Sequence, residues 1–210
     1  MRARDAAYAK LKRQIVLNEL KPGDALTELG LAQALGCSQG TVREALFRLQ
    51  EDGLVLRAGH RGTTVTSLDP EQADEILALR RRLETRGALR AGRAVTGEAL
   101  ARLRALQEQM DAAARSGDEY GLLLFDTEFH AAIFRLSGLA ALEQILVRCI
   151  LHSHRQKLWE PRHRRPLGQT AARHRVLLER LEARDGEGLA AALAHHIDTI
   201  VEVGAERAAS

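Results

Sequence analysis

Cysteine is scarce: the 210-residue chain holds two, Cys37 and Cys149, set far apart. They build neither a bridge framework nor a cysteine-pair metal motif, and both read as reduced, small apolar residues. Aromatic residues make up 3% of the chain, so core and binding site must be assembled mainly from Leu, Ala, Ile and Val. No run of 18 apolar residues occurs, which excludes a membrane-spanning helix. Met1-Arg2-Ala3-Arg4-Asp5 lacks the apolar centre of a secretory signal. A cytoplasmic protein that engages no membrane is expected. There is no internal repeat and no low-complexity segment.

What remains is an ordinary globular composition, 45% apolar and 28% charged, rich in residues that favour helix. The length suits one large domain or two small ones. The net charge of +3 is unevenly placed. Residues 1–66 hold 10 Lys+Arg against 7 Asp+Glu, whereas residues 67–210 hold 21 of each. The excess therefore sits in the first third, where it would attract a polyanion.

Three helices are predicted in that first third. One spans about Ala6 to Leu20, with Tyr8, Leu11 and Ile15 on one face, and stops at Lys21-Pro22-Gly23. A second follows Thr27 and ends at Gly36. A third is capped by Ser38, carries Val42, Ala45, Leu46 and Leu49, and ends at Asp52-Gly53. Two stretches rich in strand formers, 54–57 and 63–66, flank a turn and read as a β-hairpin. Three helices and a hairpin make a winged helix-turn-helix over residues 1–66, with a linker at 67–69. Asp69-Pro70-Glu71-Gln72 opens the next helix with a cap, an N1 proline and a capping-box Gln. From there to 210 the pattern is helical, with breaks near Gly97, Gly117, Gly138, Pro161–Pro166 and Gly186. Six helices with apolar stripes imply an antiparallel bundle, so the fold class is mostly α.

A capped third helix after a tight glycine turn presents its N-terminal residues to a major groove. Gln39, Thr41 and Arg43 have suitable chemistry, and Arg43 can grip a guanine or a phosphate with two N–H groups. Arg48 and Arg57 would add backbone contacts, and His60 and Arg61 at the wing tip would reach a neighbouring groove or phosphate. The competing reading is a plain helical subdomain with Arg43 in a surface ion pair. The segment Leu31-Ala32-Gln33-Ala34-Leu35-Gly36-Cys37-Ser38, followed by Val42-Arg43-Glu44-Ala45-Leu46, Gly53-Leu54-Val55 and Arg61-Gly62, resembles the winged helix of the GntR family of bacterial regulators. That resemblance implies binding to a double-stranded DNA operator. Gln39 stands where the family usually has an operator-contacting Arg, which implies a divergent operator or weaker binding.

The later helices place polar groups on apolar faces. Asp126 and His130 lie four residues apart on the face that carries Leu122, Phe129 and Ile133. His174 shares a stripe with Leu177, Leu178 and Leu181, and His196 shares one with Leu189, Leu193 and Ile200, while His195 points away. A carboxylate facing a core needs a partner. Three inward His and one Asp suit a divalent transition metal, although any one of them alone reads more readily as a hydrogen-bonded core residue. His152 shares a stripe with Ile145 and Cys149 and is a candidate pocket residue. His154, His163 and the run Arg162–Arg165 read as solvated.

Residues from about 70 to 207 resemble the FCD domain, the ligand-binding module of the fatty-acid-regulator branch of that family. The resemblance implies that Asp126, His130, His174 and His196 hold zinc, nickel or a similar ion, with a small carboxylate effector completing its shell. It also implies that Arg80, four residues before Glu84, faces the pocket, whereas an ion pair within the bundle is the plainer alternative. Two departures stand out: Ser137-Gly138-Leu139 replaces the family's Ser-Gly-Asn, and Arg173 replaces a Glu before the third ligand. The expected protein is a homodimeric, effector-controlled transcription regulator and not an enzyme. The alternatives are a metal-dependent enzyme, against which no nucleophile motif or separate general base is found, and a constitutive architectural DNA-binding protein.

Overall fold

A computed structural model describes residues 3–57, 62–159 and 165–200. The chain forms two compact units, Met1–Asp69 and Pro70–Ser210.

In the first unit, helix α1 (Ala3–Val16) buries Ala7, Leu11 and Ile15 at a four-residue spacing. The chain reverses through Asn18 and Gly23, both at positive φ, and enters strand β1 (Ala25–Leu26). Helix α2 (Glu28–Leu35) starts at Thr27, whose side chain accepts from Gly30 N, and ends at Gly36, whose φ of 63° makes the tight left-handed stop. Ser38 accepts from Thr41 N and opens α3 (Gln39–Glu51), which buries Val42, Ala45, Leu46 and Leu49. Strands β2 (Val55–Arg57) and β3 (Thr63–Val65) pair antiparallel with Val55 opposite Val65. The sheet has a third strand that the sequence reading missed: β1 pairs with β3, giving the order β1-β3-β2.

The second unit is helical throughout its described residues. Helix α4 (Pro70–Ala94) is followed by α5 (Gly97–Ser116), α6 (Glu119–Arg135), α7 (Glu143–Trp159), α8 (Leu167–Ala172), α9 (Arg175–Glu182) and α10 (Gly186–Asp198). These are seven α-helices where six were expected, because the helix expected between the breaks at Pro161–Pro166 and Gly186 divides at Arg173–His174. His174 keeps right-handed helical dihedrals (φ −81°, ψ −16°), so the division is a tight turn and not an open loop. Small residues set the packing of α10 on α4. A Cβ added to Gly92 would lie 2.7 Å from the Gly186 backbone, so the two helices touch main chain to main chain there. The core between α4, α5, α6, α9 and α10 is aliphatic apart from Phe129, with Leu103, Met110, Phe129, Leu177, Leu181, Leu189 and Leu193 all at or near zero exposure.

Candidate functional site

Within that core lies a polar centre. Asp126 and His130 come from one face of α6, His174 from the residue before α9, and His196 from α10; all four are buried. One potential ligand atom from each falls within 4.8 Å of all the others. The imidazoles cluster tightly, with ring centroids 5.2 Å apart for His130–His174, 5.0 Å for His130–His196 and 4.7 Å for His174–His196. His174 Nε2 lies 2.9 Å from Asp126 Oδ1 and His130 Nε2 lies 4.0 Å from Asp126 Oδ2. On the last helix His195 is exposed and His196 is buried.

The donor set passes a simple test of fit to a metal. His130 Nε2 and His196 Nδ1 are buried without a hydrogen-bond partner, a costly state for a core nitrogen unless something else takes its lone pair, and His174 Nε2 faces the Asp126 carboxylate. Burial alone would raise the Asp126 carboxyl, but the His154 and His174 imidazoles outweigh it and hold Asp126 well below the usual carboxylate range. Burial, with His174 and His130 adding to it, holds His196 well below the usual imidazole range. Ionised carboxylate and neutral imidazole are the forms that ligate.

Around this centre stands a supporting shell. Arg80 Nε donates to Glu84 Oε1 at 2.7 Å, and Glu84 Oε2 meets His130 Nδ1 at 2.5 Å. Arg80 and Glu84 are 1% and 3% exposed, so the plainer expectation of an ion pair within the bundle is met. Yet both Nη atoms of Arg80 remain buried without a hydrogen-bond partner. Burial would raise Glu84, but His130 and Arg80 bring it down to about 2. A carboxylate on Nδ1 fixes which imidazole nitrogen faces the centre.

Two histidines of α7 lie elsewhere than expected. His154, read as solvated, is largely buried and its Nε2 lies 2.8 Å from Asp126 Oδ2. Burial, outweighing Asp126, lowers its pKa. His152 is buried too, but against Arg155, with Nδ1 at 3.5 Å from Arg155 Nη1. A narrow cleft reaches the centre, and His154, not His152, stands in its wall. Two residues along a helix are about 200° apart, so one face cannot present both. Arg165, also expected in solvent, lines this cleft and donates from Nη2 to Thr199 O at 2.6 Å. Arg162–Arg164, including His163, lie outside the described residues.

In the first unit, Gln39 and Arg43 lie four residues apart on α3 and both are exposed. Arg43 forms a forked ion pair with Glu28 of α2, from Nε at 3.0 Å and from Nη2 at 2.7 Å, the surface pair that was the alternative reading. Thr41 Oγ1 is 3.0 Å from Ser38 Oγ. Arg48 does not share the face of Arg43. It reaches back to α1, bonding Asp5 Oδ1 at 2.9 Å and stacking over Tyr8 at 3.9 Å, because it lies about 140° around the helix from Arg43. Arg57 stacks over Phe47 at 4.1 Å. His60 and Arg61 lie outside the described residues.

Comparison with known proteins assigns both units. Residues 3–65 match the bacterial regulatory proteins of the gntR family, and residues 75–199 match the FCD domain. The HTH-type transcriptional regulator McbR of Escherichia coli is 33% identical over 182 residues, covering 85% of this chain and 81% of McbR. The solved structure of Escherichia coli McbR/YncC superposes with a TM-score of 0.80 at 27% identity over 99% of each chain. The Nta operon transcriptional regulator of Aminobacter aminovorans is 32% identical over 87% of each chain. The chain belongs to the GntR family. It is a transcription regulator of the GntR/FCD type, and its relatives carry the names of regulators, not of enzymes. No helix among the described residues is long and apolar enough to cross a membrane.

One departure from the FCD pattern now has a structural consequence. Arg173 bonds the C-terminal end of α10, donating from Nη2 to His196 O at 2.6 Å and from Nη1 to Thr199 O at 3.3 Å. Burial, aided by Arg165, brings it down to about 10. Sequence reasoning also missed Lys157, which lines the same cleft. Its spacing of three from His154 was the available signal.

Proposed function

We propose that this regulator binds one divalent ion, zinc or nickel, through Asp126, His130, His174 and His196, and that a small carboxylate effector bound there controls its affinity for operator DNA. One observation carries the reading: two partnerless imidazole nitrogens, of His130 and His196, meet a third imidazole and an ionised carboxylate in a buried core beside a guanidinium with two unused Nη donors. Such an ion supplies a Lewis-acidic point for a carboxylate oxygen. Glu84 holds His130 in register, His154 and His174 hold the Asp126 carboxylate, and Arg80 offers a second, charge-assisted anchor to the same anion. Gln39, Thr41 and Arg43 read the operator, with His60 and Arg61 at the wing, and two copies of the chain form a homodimer that reads a palindrome.

The test is elemental analysis of protein purified without a metal-affinity tag, alongside His174→Ala and His196→Ala, with His195→Ala as control. About one ion per chain in the native protein and the control, lost in the two variants, is expected. Native protein that stays metal-free after incubation with zinc and nickel, or variants that keep their metal, would overturn the site. Operator binding that ignores every small carboxylate in the loaded protein would overturn the effector reading.

A further inference from the structure

The cleft above the centre carries more positive charge than one carboxylate group can use. Arg80 enters it from α4, Lys157 from α7, Arg165 from the segment before α8, and Arg173 from the α8–α9 junction; among the described residues Asp126 is the one carboxylate in its wall. Among the described residues, the bonds that Lys157 and Arg173 make go to neutral acceptors. Lys157 donates to Thr170 Oγ1 at 3.2 Å, and Arg173 donates to Thr199 and to a carbonyl of α10. Neither of the two forms an ion pair with a described carboxylate. Burial lowers the Lys157 pKa, with Arg165 and Arg173 adding to this against Asp126. Cations crowded into a partly dry cleft repel one another, and that repulsion is relieved when an anion binds among them.

The geometry points to a second anionic subsite, and we infer that the effector is a compact dianion. One carboxylate would meet the centre and the unused Nη atoms of Arg80; the other anionic group would lie between Lys157 and Arg173. The inference rests on the metal-and-carboxylate reading above and adds to it the charge and valence of the ligand. It also gives Arg173 a use: an acidic residue at that position would repel the second group.

The test is isothermal calorimetry on the full-length, zinc-loaded protein. The probes are acetate as monoanion, then malonate, succinate and glutarate as a ruler of the spacing, and 2-phosphoglycolate to separate a phosphate from a carboxylate as the second group. At least one dianion is expected to bind tighter than acetate by roughly tenfold or more, the gain from one further charge-assisted contact. Lys157→Met collapses that ratio toward one, and Arg173→Gln reduces it. Arg175→Gln removes a surface arginine that pairs with Asp111 at 3.2 Å and serves as the charge control, with the ratio kept. Arg173 also holds the end of α10, so Lys157→Met is the deciding variant. Acetate binding as tightly as every dianion, or a ratio untouched by Lys157→Met, overturns this inference and leaves the parent reading standing. Zinc binding without any response to acetate or to the dianions overturns both.

Discussion

Replacing Glu84 separates its two duties. Its carboxylate is 2.7 Å from Arg80 Nε and 2.5 Å from His130 Nδ1, at 3% exposure. Lowering its pKa from 4.5 to about 2 corresponds to about 3 kcal/mol of preference for the charged form. That agrees with the roughly 3–5 kcal/mol lost when one partner of a buried ion pair is removed. Glu84→Ala in the metal-free protein should therefore lower Tm by roughly 6–20 °C for a chain of this length. Glu84→Gln keeps the shape. Its carbonyl can still accept from Arg80, but its NH₂ must donate to His130 Nδ1, and the neutral imidazole then carries its proton on Nε2, where the ligand lone pair is needed. Glu84→Gln should thus cost less stability than Glu84→Ala yet weaken zinc binding by about 10–100-fold. The sign with pH follows from a depressed carboxylate. Its contribution is present above pH 4.5 and is lost as pH falls through about 2. The gap in Tm between the native protein and Glu84→Ala should therefore be constant from pH 7 to 5 and close only in strong acid. Calorimetric melts and competition with a zinc chelator provide the readouts. A Glu84→Ala penalty below 1 kcal/mol, or unchanged zinc affinity in Glu84→Gln, would refute the reasoning.

Arg43→Ala should weaken operator binding roughly 5–150-fold in fluorescence anisotropy, and unchanged affinity in a folded variant would remove it from the reading surface. Because Glu28 occupies the Arg43 fork through bonds of 2.7–3.0 Å, Glu28→Gln should raise affinity for non-specific DNA and steepen the salt slope; weaker non-specific binding would show that Glu28 positions Arg43 for the DNA. Light scattering should find a dimer at micromolar concentration, and a monomer both with and without DNA would contradict the two-fold reading of an operator. In the metal-free protein, His154 and His196 titrate below the usual imidazole pKa, so the unfolded state binds protons first as pH falls below about 6.5. Tm should decline from pH 7 to 5.5, and a rise over that interval would mean these rings are charged in the fold.

Legibility followed the range of the interactions. Thr27, Gly36 and Ser38 announce α2 and α3 because caps and left-handed stops are local. The four candidate ligands could be placed on inward stripes because helix period decides which way a side chain faces, whereas Arg80 was placed at the pocket only by resemblance. The α8–α9 division had no such mark, since Arg173–His174 contains neither Gly nor Pro and keeps nearly helical dihedrals. β1 has two residues, too few for an alternation. His154 was misread although Ile150, Leu151 and Leu158, its neighbours one turn away, are all buried. The basic run downstream suggested solvent, and only the tertiary approach of α6 brings Asp126 to meet it. The convergence of Lys157, Arg165 and Arg173 is likewise a property of three separate elements, which no single period encodes.

On the proposed function, the helix that carries Arg80 and Glu84 also sets the terms of any signal to the DNA. Pro70, the first residue of α4, follows Asp69, the last residue of the first unit, and the helical rise from Pro70 to Arg80 is about 15 Å. The candidate ligands come from α6, the start of α9 and α10. An anion held jointly by the centre and by the unused Nη atoms of Arg80 therefore adds its binding energy between those helices and the one that continues from the DNA-binding unit. It can change operator affinity only by the difference in its own affinity for two arrangements of α4, and linkage makes the effect reciprocal. If succinate weakens operator binding by some factor, saturating operator must weaken succinate binding by the same factor. Arg80→Lys preserves a positive charge beside Glu84 but removes the guanidinium's second point of contact. In that variant the shared factor should fall toward one in both titrations. Full coupling in Arg80→Lys would place the signal on a path other than α4.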